Sequence, residues 1–319
     1  MKRTVTDSDF EALRNRLAAL GVTEVAPLAG GASSLTYQGR WDRRPVVVKV
    51  APPGHAPVGH RDVLRQARLM RALAATAVPV PEVLACDAGA PPDVPPLFVA
   101  SRVEGEAFEP LFDVDAPPEQ PVAQRFRAAS RTLTALHAVP LGDLGVADEP
   151  VVDATAEVDR WSATLRTVDQ DTVPGWPEVR DALLAGVPAP LGPCVVHGDF
   201  RLGNLLAVGS SIAAVIDWEI WSVGDPRIDV GWFLANADPA TYARPSAYVE
   251  QVPSRAELLD CYGAVPDVDW FVALACFKSA ATWSLIVKHN RRRAAPRAEL
   301  EAMAPVLPRL LRRAEAHLA

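Results

Sequence analysis

The stretch VVHGDFRLGNLLAVGSSIAAVID, running from Val195 to Asp217, decides how the chain is read. It sets Asp199 and Asn204 five positions apart on one short loop (204 − 199 = 5) and places Asp217 at the end of the next apolar run. Leu205 to Val208 and Ile212 to Ile216 are apolar, and Gly209-Ser210-Ser211 between them reads as a tight hairpin. Such a hairpin returns Asp217 to the side of Asn204, so three oxygen-bearing side chains converge.

That convergence has a chemical use. Phosphoryl transfer asks for little covalent help; the site must position the nucleophile and neutralise charge on the moving group. Magnesium prefers oxygen ligands and keeps several of its waters, so an Asn carbonyl and one carboxylate suffice as protein ligands. This assigns Asn204 and Asp217 to the metal and leaves Asp199 as the base, with His197 shaping the loop. A catalytic loop of this kind in kinases carries an Asp, an Asn five residues later and a metal-binding Asp beyond a hairpin.

His197-Gly198-Asp199 with Asn204, then Ile216-Asp217-Trp218-Glu219, then Gly224-Asp225-Pro226 with Asp229, resemble the aminoglycoside phosphotransferase and choline kinase family. HGDFRLGN followed by DWE and GDP is most similar to the small-molecule phosphotransferases related to the kinase-like domain of some acyl-CoA dehydrogenases. The resemblance implies an α+β, two-lobed protein-kinase-like fold. A nucleotide-binding lobe with an antiparallel sheet is expected over residues 1–103, and a larger, mainly helical lobe over 104–319. It also implies Mg²⁺ and ATP or GTP as co-substrate, a hydroxylated small molecule as acceptor, and neither nucleic acid nor membrane as partner. Asp225 and Asp229 are expected to brace the catalytic loop.

The N-terminal part fits the first of those lobes. Ser8-Asp9-Phe10-Glu11 has the form of a capping box, and Leu13, Leu17 and Leu20 continue a helix that Gly21 ends. Strand signals follow at Val25 to Leu28, Leu35 to Trp41 and Pro45 to Val50, with a small-residue loop, Gly30 to Ser34, between the first two. Backbone amides of such a loop can lie against phosphate oxygens, so Gly31, Ser33 and Ser34 are candidate nucleotide contacts. Lys49 closes a valine strand, and only 4 of the 32 basic residues are lysines, at 2, 49, 278 and 288. In so arginine-rich a chain this lysine is read as the strand lysine that kinases aim at nucleotide phosphates.

One position departs from the family pattern. Where related phosphotransferases carry a helix Glu to hold that lysine, this chain has Gln66, with Asp62 one turn earlier on the same face. Asp62 or Gln66 is therefore expected to hold Lys49. Leu97 to Ser101 leads to Val103 through Arg102, and the resemblance makes Ser101 and Val103 the hinge that meets the purine.

Length and composition agree with a globular enzyme. The chain has 319 residues, 49% hydrophobic and 22% charged, with a net charge of −7 that gives no reason to expect nucleic acid. The N-terminus shows no apolar leader and the run Phe271 to Phe277 is short for a bilayer, so a cytoplasmic location is expected. Cys86, Cys194, Cys261 and Cys276 are scattered, which argues for free thiols. Seven of the eight tryptophans follow the expected hinge, and for most of them the core is the better assignment. The basic run from Lys288 to Arg297 ranks a neutral or anionic hydroxylated metabolite above a polycationic aminoglycoside.

Two other readings stay open at this point. Gly198-Asp199 and Gly203-Asn204 superficially match the GD and GN blocks of a metallophosphoesterase. A catalytically silent nucleotide-binding module is the other, and Gln66 favours it.

Overall fold

The computed structural model describes residues 7–28, 34–112 and 120–319. Helix α1 (Asp7–Ala19) leads into β1 (Val22–Pro27), β2 (Leu35–Trp41) and β3 (Arg44–Val50). The turn into β3 uses the left-handed backbone of Asp42 and Arg43, as a tight hairpin requires. Helix α2 (Val63–Leu73), β4 (Val83–Asp87) and β5 (Leu97–Ser101) follow. The five strands form one antiparallel sheet ordered β1-β2-β3-β5-β4.

Strand alternation splits the sheet between two cores. Val46, Val48 and Val50 of β3 pack with Leu13 and Leu17 of α1 on one face. Val47 and Lys49 take the other face, toward a cleft. Phe98 and Ala100 of β5, also on that side, join the larger core of the remaining chain.

That larger lobe is mainly helical. Helices α3 (Val122–His137), α4 (Ala154–Leu165) and α5 (Trp176–Ala185) come first. Between α3 and α4 lies the short strand β6 (Val151–Val152), and β7 (Cys194–Val196) follows α5. The hairpin of β8 (Leu205–Val208) and β9 (Ser211–Val215) comes next, then β10 (Ser222–Gly224), which pairs with both β6 and β7. Helices α6 (Arg227–Ala237), α7 (Pro239–Tyr242), α8 (Arg255–Tyr262), α9 (Val268–Arg291), α10 (Ala298–Glu301) and α11 (Leu307–Leu318) complete the chain. The architecture is a two-lobed, protein-kinase-like α+β fold.

Helix α6 is buried along its whole length and packs against α9. The apolar stretch containing Phe271 to Phe277 proves longer than its sequence core suggests: α9 has 24 residues, enough by length and composition to cross a membrane. It lies instead inside the helical lobe, with 78% of its most apolar window buried in protein. A Cβ on Gly231 would meet the Phe271 carbonyl oxygen at 2.3 Å, so glycine is what permits α6 and α9 to approach so closely. Gly231→Ala is expected to destabilise the fold by about 3 kcal/mol through overpacking, visible as a lowered midpoint in urea unfolding.

The buried Arg227 starts α6 and closes this region. It donates to both Asp225 carboxylate oxygens, to Asp267 and to the Ala189 carbonyl. Burial raises the Asp225 carboxyl, but hydrogen bonds from Arg227 and the Leu191 amide outweigh it and hold the group below the usual carboxylate range. Asp225 thus braces the Leu191 segment and Arg227, while bracing of the 197–199 loop falls to Asp229.

Candidate active site

Two strands and one hairpin bring the chemistry together. β7 ends at Val196, and the chain turns through His197-Gly198-Asp199 before a single 3₁₀ turn, Leu202–Asn204. Gly198 has φ +83°, and an added Cβ would lie 2.9 Å from the Ile220 carbonyl oxygen, so only glycine makes this turn without strain. The Ile216 amide then donates to the Asn204 carbonyl at 3.0 Å, which sets Asp217 beside Asn204.

His197 is wholly buried with both ring nitrogens engaged. Nε2 donates to the Ile216 carbonyl at 2.9 Å and Nδ1 accepts from the Asp199 amide at 3.1 Å, so the ring ties the loop to the end of the hairpin. Asp229 accepts from the His197 and Gly198 amides at 2.6 and 2.8 Å. Burial pushes its carboxyl up, yet the hydrogen bond and charge of His137 and the attached amide outweigh this and keep it below the ordinary value.

The Asp199 carboxylate is oriented from both sides. Asn204 Nδ2 donates to Oδ2 at 2.7 Å and Trp232 Nε1 donates to Oδ1 at 2.8 Å. Arg201 lies 3.4 Å from Oδ1 and is shared with the buried Glu109. Asn204 uses its amide nitrogen on Asp199, so its side-chain oxygen is the atom left for a cation.

Across the cleft, Lys49 Nζ donates to Asp217 Oδ1 at 2.8 Å, joining β3 to the hairpin over 168 residues of sequence. Burial raises the Asp217 carboxyl, but the charge and hydrogen bond of Lys49 dominate and hold it below its ordinary value. Both residues line a cavity of about 350 Å³ together with Gln66, Ser101, Val103 and Asn204. Gly31 and Ser33 lie outside the described residues.

The partner expected for Lys49 is corrected here. Asp62 is the N-cap of α2, accepting from the Arg65 amide at 2.9 Å, and its other oxygen lies 3.7 Å from Arg68. Its carboxylate is drawn to the unpaired amides at the start of the helix and so does not hold Lys49. Gln66 is buried at the cavity wall with its donor Nε2 unpartnered among the described residues, and the Lys49 ammonium donates to the Asp217 carboxylate rather than to the Gln66 amide oxygen.

Helix α2 is instead tied down by Arg65, which the sequence did not single out. Its guanidinium stacks 3.5 Å from the centroid of the Trp221 ring, donates to the Trp221 carbonyl at 2.9 Å and pairs with Glu149 at 2.9 Å. The helix is thereby fixed to the segment just beyond Asp217, where a lysine–glutamate pair would otherwise fix it. Charge-assisted bonds of this kind contribute about 1–2 kcal/mol. Arg65→Met is expected to weaken nucleotide binding about 5- to 30-fold, and adding Gln66→Glu is expected to recover part of the loss by giving Lys49 a helix carboxylate; titration with a fluorescent nucleotide measures both.

The residues present fit a magnesium nucleotide. Asn204 and Asp217 offer hard oxygen ligands side by side. Gln66 Nε2 and Ser34 Oγ are buried donors without partners among the described residues; Gln66 lines the cavity, and Ser34 immediately precedes β2, whose Thr36 lines it too. Buried donors left unsatisfied cost free energy, and phosphate oxygens would satisfy them.

Fold and cleft together define a protein-kinase-like phosphotransferase. The model of the phosphotransferase enzyme family matches residues 24–259, and the chain belongs to that family. Among curated proteins it is 25% identical to mouse acyl-CoA dehydrogenase family member 10 and 24% identical to human member 11, matching over 85% and 80% of this chain. It spans only 27% and 35% of the length of those relatives. Among solved structures, a Ralstonia eutropha protein described as a candidate aminoglycoside phosphotransferase superposes with a TM-score of 0.77 at 20% identity, covering 97% of this chain and 98% of that one. Aminoglycoside phosphotransferase APH(4)-Ia, in complex with ADP and hygromycin B, gives 0.65 at 17% identity, with 96% and 98% covered. These structures share the fold.

Proposed function

We propose that the protein transfers the γ-phosphoryl group of ATP or GTP to a hydroxyl of a small molecule. The observation that carries this reading is the convergence in one cleft of the Lys49–Asp217 pair with Asn204, itself bonded to Asp199. Asp199, oriented by Trp232 and Asn204, accepts the acceptor's hydroxyl proton as that oxygen bonds to the γ-phosphorus. The bond from phosphorus to the bridging β-oxygen breaks, and nucleoside diphosphate leaves. Lys49 and the donors of Ser34 and Gln66 hold phosphate oxygens, Gly31 and Ser33 cover them, and Ser101 and Val103 meet the purine. Magnesium held by Asn204 and Asp217 would supply charge neutralisation on the phosphates.

The same reading makes residues 1–103 the nucleotide lobe, 104–319 the catalytic and acceptor lobe, and the cytoplasm the location. For the acceptor, a neutral or anionic hydroxylated metabolite remains preferred. Arg201 and the buried Lys278 both lie close to Asp199, a poor setting for a polycation. The basic run at the end of α9 and beyond it gives no further support, because Lys288 is bonded to the Thr167 carbonyl, Arg291 to Glu301 and Arg297 to Glu299, away from the cavity. Among the described residues no group of three His, Cys, Asp or Glu side chains is placed to hold a metal ion, so the phosphohydrolase reading lacks a ligand set.

The test is incubation with Mg-ATP, and separately Mg-GTP, against pooled aminoglycosides, macrolides, amino alcohols, sugars and hydroxy acids or their thioesters, with products identified by mass. A phosphorylated product made by the wild type and not by Asp199→Asn is expected. Nucleotide binding with no transfer to any acceptor or to water would favour the silent module.

A further inference from the structure

Lys278 is one of only four lysines, projects from the middle of α9 and is 5% exposed. No carboxylate among the described residues forms an ion pair with it. Its ammonium donates to the Gly198 carbonyl, lies 4.0 Å from the centroid of the Trp232 ring and 5.4 Å from that of Trp161. A buried cation resting on one carbonyl and two indole faces is costly to maintain, and such placements call for a use beyond packing.

The use follows from what those partners hold. The Gly198 carbonyl and the Asp199 amide are the two ends of one peptide plane. His197 Nδ1 takes the amide end at 3.1 Å, and Lys278 takes the carbonyl end. Rotation of that plane would swing the Asp199 side chain. Trp232 in turn holds one oxygen of the Asp199 carboxylate, and its ring sits on the same ammonium.

We propose that Lys278 is a positioning residue for Asp199: it locks the Gly198–Asp199 peptide plane and seats the indole of Trp232 that orients the carboxylate. The inference rests on the reading of Asp199 as proton acceptor. Burial holds the proton affinity of Lys278 below that of an ordinary lysine, and the charges of Asp199, Glu157 and Asp229 oppose that shift without outweighing it.

The test compares wild type, Lys278→Met, Lys278→Arg and Asp199→Asn in full-length protein by ADP release from Mg-ATP, with amide hydrogen exchange on the same samples. Lys278→Met, close in length and apolar, is expected to lower kcat at least tenfold with KM for ATP within twofold. Exchange over residues 197–204 is expected to rise while α6 and α9 stay protected. Lys278→Arg, which keeps the charge and donors, is expected to recover part of kcat. Unchanged exchange over 197–204 in Lys278→Met overturns the proposal, as does a wild-type kcat. So does a variant whose protection falls uniformly, since that marks a packing role. Failure of the underlying reading looks different: ADP release would then be insensitive to Asp199→Asn, whatever Lys278→Met does to loop exchange.

Discussion

Asp199→Asn is expected to lower turnover by about 10²–10⁴-fold, the range a positioned base contributes, while leaving Mg-nucleotide affinity within a few-fold of wild type. The substitution is not silent geometrically. Both carboxylate oxygens accept, one from Asn204 and one from Trp232, so an amide at 199 must turn its own N–H₂ toward one of those donors. Displacement of the loop could then mimic loss of the base. The double variant Asp199→Asn with Trp232→Phe removes one donor and so relieves that conflict. If turnover stays lost in the double variant, the loss belongs to the missing base. Recovery would make orientation the cause, and full activity of Asp199→Asn alone would remove Asp199 from the reaction.

Asp217→Asn is expected to damage binding as well as turnover. In the proposed reaction Asp217 supplies one of the two protein ligands of the metal, and its carboxylate is the partner of Lys49. Losing the charge should weaken Mg-nucleotide affinity at least tenfold, about 1.4 kcal/mol, with turnover falling further because the metal also sets the phosphate geometry. The sign reverses without metal. In EDTA the freed Lys49 ammonium faces the phosphates with no competing carboxylate, so metal-free nucleotide should bind as well as to wild type or better. Isothermal titration with and without Mg²⁺ reads both arms. Equal weakening in both conditions would mean that Asp217 supports the cleft and does not ligate metal.

The two variants separate the proposed base from a proposed metal ligand, and both positions stand within one stretch of 23 residues, from Val195 to Asp217. The hairpin forms where the apolar runs and Gly209 place it, with Ser211 joining β9 beyond the turn. Strand β3 shows its lysine for a similar reason, since a period of two sets Lys49 on the face opposite Val46, Val48 and Val50. The error at Asp62 arose because two roles compete for one carboxylate, and spacing on a helix face cannot tell a lysine partner from an N-cap. The rarity of lysine, which singled out Lys49, applies equally to Lys278, and it is the one sequence signal that could have pointed there.

What the sequence determined by itself is therefore local. It set the order of Asp199, Asn204, the hairpin and Asp217, the strand that carries the lysine, and the turn that only Gly198 makes, because each depends on neighbours a few positions away. Tertiary structure decided who holds these groups in place. Trp232 reaches Asp199 across 33 residues, Lys278 reaches Gly198 across 80, Arg65 reaches Trp221 across 156 and Lys49 reaches Asp217 across 168. Such pairings follow from how α2, α6 and α9 pack around the loop, and close packing of distant elements leaves no periodicity in the chain to read.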